Sequence, residues 1–334
     1  MRLRVSCCFY SILILSLFVS CAGSKNGLIQ QYQLAGNCNE QGETDFSDYP
    51  LPQPIHEIEL DSTLLANFSP ESLNIANAIG LLGLLQKYIG AVDKLNTEPS
   101  IENRFERLEA LQEIYQRINI SSLELSAVAS EMDCEEERLE QIADFLNSKE
   151  KDRETRLTVG AITIGALAAI GAGVLVVTGE GRRNDDNIEF VGIGAGIIEA
   201  TLGLMILTNK KKVDYYHPRN ALREIWEGQK NSEIFPPSVW YFLNYFDPSR
   251  PETPSRRYVL LENWMSFRQI TDVRKEKKRE QLDLYFGDGG QYSTEELYNR
   301  SNMYDQLEAQ IKLMKQHLNR LSNEIDNLKI AHTL

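Results

Sequence analysis

Histidine is scarce in this chain. The four that occur, His56, His217, His317 and His332, stand far apart, with no HExxH pair and no Cys-His spacing of the kind a zinc site needs. A GxSxG elbow and a P-loop are absent too, and the Gly-rich stretch GIGAGIIE, residues 192–199, lacks the strand and acidic partner that a dinucleotide site requires. Positive charge is in deficit: 35 Lys and Arg stand against 48 Asp and Glu, a net charge of -13, which argues against nucleic acid as a partner. Strand-like alternation is nearly missing through the first half. These absences leave no reaction to assign, and the sequence reads as non-enzymatic, with no cofactor and no metal site.

Cysteine is sparse as well, five residues in all, three of them near the N-terminus. The opening MRLRVSCCFYSILILSLFVSCAG combines basic Arg2 and Arg4, an apolar run to Val19 and a small-residue exit, the form of an export signal. Residues 1–20 are therefore set apart from the fold. Phe18-Val19-Ser20-Cys21 resembles the lipobox of bacterial lipoproteins, with Phe18 where most such signals carry Leu; the resemblance covers these few residues and implies acylation of Cys21, not a function. An ordinary cleaved signal and an uncleaved anchor are the competing readings, and the run is short for a membrane span. Cys38 and Cys134 then remain, either as a disulfide in an oxidising compartment or as two unrelated thiols. As a bridge they would tie the polar, proline-punctuated arm 21–58, read as a tether, to a later helix, and closing so long a loop contributes about 4 kcal/mol.

Helical periodicity is what the chain has in quantity. Over residues 59–156, Ser69-Pro70 reads as an N-cap with Pro at the first helical position, followed by the apolar run from Leu73 to Leu95. A second segment repeats Ile101, Phe105, Leu108, Leu111, Tyr115 and Ile118. A third, opening near Ser121-Ser122, carries Leu125, Val128, Met132, Leu139, Ile142 and Leu146 on one stripe. No Gly or Pro follows before residue 157, so one long helix is expected to run from about Ser122 into the apolar stretch beyond. The acidic run Glu131–Glu137 reads as a solvated helix face, with binding of a metal or a cationic partner as the alternative.

Residues 157–208 form the apolar feature of the chain. The uncharged stretch Leu157–Val177 has a twin at Phe190–Thr208 across the polar loop 179–187, and each is long enough for the roughly 30 Å hydrocarbon core. Ala161, Gly165, Ala169 and Gly173 repeat every fourth position in the first helix, and Gly192, Gly196 and Gly203 line one face of the second. Small residues so aligned let helix backbones approach closely, a main source of helix association in lipid. Glu199 sits on the second stripe, where a carboxylate would face an interface or a wet cavity; it reads as a pore or proton-linked polar site, or else as a buried Glu bonded to a threonine such as Thr163. Basic residues flanking the hairpin outnumber those in its loop, so the positive-inside rule conflicts with export of the N-terminal part. A hairpin exported first and inserted later resolves the conflict; an uncleaved N-terminus or a soluble close-packed pair would also do so.

Residues 209–292 hold all three tryptophans, Trp226, Trp240 and Trp264, with six prolines between Pro218 and Pro254, and read as short helices around an aromatic core. Gly287-Asp288-Gly289-Gly290 reads as a turn. In residues 293–334, Ser293-Thr294-Glu295-Glu296 is a capping box, and Tyr304, Leu307, Ile311, Met314, Leu318, Leu321, Ile325 and Leu328 alternate three and four apart like a coiled coil. Weak charge coding beside that stripe suits packing within the chain, the preferred reading, as well as a homodimer.

The expected fold is all-α: a long-helix bundle or coiled coil with an apolar Gly/Ala-rich helical hairpin and a small aromatic-rich helical module. The expected function is a membrane-associated lipoprotein of the bacterial envelope, structural or assembly-related, lipid-anchored at the outer membrane facing the periplasm. Its expected partners are membrane lipid and either further copies of itself or an envelope protein. Long helices carrying an apolar hairpin also resemble, in architecture alone, the α-pore-forming toxins, which implies the alternative of a hairpin inserted into a target membrane.

Overall fold

The computed structural model describes residues 38–39, 45–177, 200–206, 210–270 and 275–331, with the backbone alone at 168, 171–177, 275–277 and 329–331. Residues 1–37, with Cys21, are a separate unit outside the described residues, and the fold is that of the unit Cys38–Leu334. The described chain is mostly helical, in keeping with the all-α expectation.

Local chemistry starts the first helices. Asp61 accepts the N–H of Thr63 at the head of α1 (Ser62–Asn67), and the Ser69 hydroxyl accepts that of Ser72 at the head of α2 (Pro70–Ala78), whose first residue needs no donor. The apolar run does not stay in one helix. Gly80 adopts φ 70°, a left-handed conformation that only glycine takes cheaply, and α3 (Leu82–Thr97) leaves at 119° to α2. Both helices bury their apolar residues, Leu73, Ile75, Leu85 and Tyr88 among them.

Helix α4 (Ile101–Val177) has 77 residues, about 115 Å at the usual rise, and merges two segments that the sequence had separated near Ser121. No Gly or Pro stands at that point, Ser121 is buried, and the Ser126 hydroxyl donates to the Ser122 carbonyl, keeping both serines inside the helical ladder. The stripe Leu125, Val128, Met132, Leu139, Ile142 and Leu146 is buried throughout. The earlier stripe is only partly so: Ile101, Phe105 and Leu108 are exposed, Tyr115 and Ile118 are half-buried and Leu111 is covered, as is its neighbour Ile114.

Most of the cover for α4 comes from α9 (Thr294–Ala331), packed antiparallel along it, and α3 packs beside its N-terminal part. Thr294 donates to Glu150, Tyr298 to Asp144, and at the other end Tyr115 donates to Asp326 at 2.7 Å. Because α9 reaches Tyr115 only in its last turns, Ile101 to Leu108 lie past its described residues. The expected capping box starts α9, with Glu296 accepting the Ser293 N–H at 2.8 Å and the Ser293 hydroxyl accepting the Glu296 N–H at 3.4 Å. Its apolar stripe from Tyr304 to Ile325 is buried, so the coiled-coil pattern is spent on α4, with α2 packing on α9 as well.

The aromatic segment is not wholly helical. Strand β1 (Lys212–Tyr216) pairs antiparallel with β2 (Gly289–Ser293), Val213 opposite Tyr292 and Tyr215 opposite Gly290. The glycines expected to form only a turn therefore open a strand. Gly289 has φ 98°, and a Cβ there would lie 2.3 Å from the Tyr215 carbonyl oxygen, so the ribbon requires glycine at this place. Between the strands come α5 (Ala221–Glu227), α6 (Pro237–Asn244), α7 (Arg256–Ser266) and α8 (Lys275–Phe286). Trp240 and Trp264 are fully buried; Phe235 stacks on Trp240 and Trp226 on Phe286, so the aromatics form a core.

The second half of the expected tether is docked on this module and on α2. Phe46 N–H donates to the Glu233 carbonyl, Ile55 is buried with its N–H on the Tyr241 hydroxyl at 3.1 Å, and Asn77 donates to the Gln53 carbonyl at 2.8 Å. Cys38 and Cys134 are joined as a disulfide, 5.6 Å between their Cα atoms, which fastens the start of this segment to the middle of α4.

Candidate functional site

After Leu146 helix α4 leaves the body. From Lys151 to Arg156 every residue is exposed, and the apolar run then begins with little to cover it. Val159, Ile162, Leu167 and Ile170 are 57 to 67% exposed, which is unusual for aliphatic side chains spread over about three turns of one helix. Leu157, Gly160, Ala161, Ile164 and Gly165 form a half-buried stripe on the opposite side. The return limb repeats the arrangement in helical residues 200–206, where Leu202, Gly203 and Ile206 are half-buried and Leu204 and Met205 are exposed.

Of the small residues expected to line a helix contact, Ala161 and Gly165 lie on the half-buried stripe, while Ala169 is exposed. Gly173 is helical in backbone, and its surroundings, like Gly192, Gly196 and Glu199 themselves, lie outside the described residues, as does the loop 179–187. A Cβ added to Gly203 would meet nothing within 4 Å among the described residues. The Thr163 hydroxyl donates to the Val159 carbonyl at 2.7 Å, so its proton is engaged within its own helix.

The roots of the two limbs meet. Glu150 accepts the Lys211 N–H at 2.8 Å with one carboxylate oxygen and the Thr294 hydroxyl at 3.2 Å with the other, clasping both limbs to the first turn of α9. Among the described residues no single helix is long and apolar enough to cross a membrane, and the bent pair α2 and α3 that approaches this is packed in the body. The uncharged run from Leu157 continues past the last described side chain at Ile170, so that statement covers only part of it.

Two polar groupings inside the body were not legible in the sequence. The first lies under the ribbon. Arg300 is wholly buried, donating to the Tyr285 carbonyl, to Asn220 at 3.0 Å and to the Tyr304 hydroxyl at 3.4 Å, with the Tyr304 ring 5.4 Å from its guanidinium carbon. His217 is 2.8 Å from the Tyr292 hydroxyl, which donates onward to the Leu284 carbonyl, so the imidazole supplies its Nε2 proton. Burial, with Arg300 nearby, drives its pKa down to about 2 and keeps it neutral. Their hydrogen bonds serve carbonyls and a helix cap.

The second grouping lies between α4 and α9. The acidic run on α4 is divided among partners: Glu131 pairs with Arg219 at 2.7 Å, and Glu135 accepts from Arg138 and from the Tyr215 hydroxyl, each at 3.1 Å. Asp133, Glu136 and Glu308 converge, their nearest oxygens all within 4.8 Å, the grouping among the described residues with the spacing to ligate one cation. Lys312 already pairs with Glu308. Burial first, then the neighbouring carboxylates, raises Glu136 to about 7.

That elevation carries a sign. A carboxyl whose folded pKa exceeds its unfolded value costs nothing while both states are protonated, and its penalty grows as pH rises from about 4.5 to 7. Glu136→Gln should therefore stabilise the protein by about 1–2 kcal/mol at pH 8, after allowance for solvent screening, and by nothing at pH 4. Urea unfolding at the two pH values measures this; an equal gain at both would place its cause elsewhere.

No protein-family model, curated protein or solved structure matches this chain.

Proposed function

We propose that the chain is a non-enzymatic, membrane-associated lipoprotein of the bacterial cell envelope, a structural or assembly component held by a lipid on Cys21, whose apolar hairpin engages a membrane and further copies of itself. The observation that carries this reading is the arm: a helix that is the spine of the folded body continues beyond it with its aliphatic side chains in solvent. Water makes such a surface unfavourable by roughly 25 cal/mol for each Å² left exposed, and lipid or another apolar helix removes the penalty. The periplasmic face of the outer membrane suits a chain with an export-type start and a disulfide.

The clasp at Glu150 gives the test its form. With the limb roots in contact, residues 157–206 are replaceable by a short Gly/Ser linker, and the unfolding free energy of the body should change by less than about 1 kcal/mol. In a Cys21→Ala background the same excision should abolish sedimentation with membranes; continued sedimentation would remove the hairpin from the reading. Acyl labelling that persists in Cys21→Ala would remove the lipid anchor. Protease cleavage of the loop 179–187 from one side only in intact cells fixes the insertion and its direction.

A second reading, an α-helical pore former, draws on the continuity of the arm with α4, which would couple insertion to movement of the whole bundle. Dye release from liposomes by the mature chain, lost in Gly165→Leu, is its expected result. Its absence over a wide concentration range leaves the structural role.

A further inference from the structure

The neck where the arm joins the body differs in charge from the rest of the molecule. Between Leu146 and the apolar run α4 carries four basic and three acidic residues, and positions 151–156 among them are all exposed. The return limb contributes Lys210, Lys211 and Lys212, each exposed. The fold brings these two sets together, because the Lys211 N–H and the Thr294 hydroxyl both donate to Glu150. That clasp engages the Glu150 carboxylate through neutral donors and leaves the three lysines exposed. Lys210 reaches Glu295 of α9 at 3.4 Å, but both side chains are more than 70% exposed, so water and salt screen the contact. Counting Glu295 and Glu296 of that turn, the neck still holds two positive charges in excess, on a chain whose net charge is -13.

Position gives the charge its meaning. Arg156 is the residue immediately before Leu157, where the uncharged run begins, and Lys210 follows the return limb within four residues of Ile206. An arm of this kind immersed in hydrocarbon holds its neck at headgroup depth, where Lys and Arg extend their ammonium and guanidinium groups to phosphates.

We infer that the neck is a docking surface for anionic phospholipid headgroups, which seats the body on a negatively charged leaflet with the hairpin directed into it. The inference rests on the proposed entry of the arm into lipid and adds the class of lipid that receives it. Charge complementarity carries it: the molecule as a whole is repelled by an anionic surface, so a preference for one arises only where the neck is what meets the lipid.

Flotation with vesicles tests both levels separately. The mature chain carrying Cys21→Ala, so that no acyl group dominates, is mixed with vesicles of phosphatidylcholine alone or with three parts in ten of phosphatidylglycerol. Partition into the anionic vesicles should be roughly tenfold higher at low salt, and the gain should vanish at 0.5 M NaCl. The triple substitution Lys210→Gln, Lys211→Gln, Lys212→Gln should remove most of the gain while leaving partition into pure phosphatidylcholine unchanged. Should that variant fold poorly, the salt series on the unaltered chain decides by itself. Equal partition into both vesicles overturns the docking surface and leaves membrane entry standing. Partition into neither overturns membrane entry and the docking surface together, and a neck that then cross-links to an acidic protein would be a protein interface instead.

Discussion

Replacing Arg300 with methionine should lower the free energy of unfolding by about 1–3 kcal/mol, the range for leaving buried neutral acceptors without their donor. The guanidinium is closed off from water, and its donors go to three acceptors in different parts of the chain: the last turn of α8, the N-cap of α5 and the next turn of α9. Methionine conserves much of the volume, so the loss comes from the acceptors. The Tyr285 carbonyl would keep only its bond from Asn220, and the Asn220 side chain would hold its cap on Arg223 without the opposing anchor. Lysine at the same position should fare nearly as badly, since one ammonium on a flexible stem cannot reproduce a planar fork aimed at separate acceptors. Urea unfolding measures the change, with an unaltered slope expected because the loss is in the folded state. A loss under about 1 kcal/mol would mean that the site accepts apolar filling, and that the network sets specificity alone.

Reduction of the Cys38–Cys134 disulfide should cost about 4–5 kcal/mol, the chain-entropy value for a loop this long, the two residues being 96 apart in sequence. The bridge confines the whole segment that holds α1, α2 and α3 to the middle of α4, so opening it widens the unfolded ensemble more than it disturbs any folded contact. Unfolding with and without dithiothreitol gives the number, and a Cys134→Ser chain gives it again without reductant. Arg138 places a guanidinium nitrogen 2.8 Å from the Cys38 sulfur.

Local features were legible without the fold. The capping box at Ser293, the N-cap at Ser69 and the three-four alternation of α9 each lie within a few residues, and each appears in the structure where its chemistry put it. The ribbon was not legible, because Val213 and its partner Tyr292 are far apart in sequence and GGQYS has no apolar alternation to mark a strand. Nor was Arg300, which in sequence is one more polar residue of a helix and in the fold is the centre of a buried network. The break at Gly80 hid in an otherwise unbroken apolar run, since glycine inside such a pattern is compatible with a helix or with its end.

For the arm, sequence and fold contribute different things. The sequence by itself determined that residues 157–177 are uncharged, helical and rich in small residues, since periodicity and propensity act over one or two turns. It determined equally that Ile101, Phe105 and Leu108 share a helix face with Leu111. Tertiary structure alone decided which of these surfaces is covered: α9 lies along α4 from Glu150 to Tyr115 and α3 packs beside its N-terminal part, so Leu111 and Ile114 are buried while Ile101, Phe105 and Leu108 at one end and Val159, Ile162, Leu167 and Ile170 at the other stand open. The physical reason is that a helical period fixes which side chains point the same way, whereas burial depends on whether a second element, distant in sequence, is there to meet them.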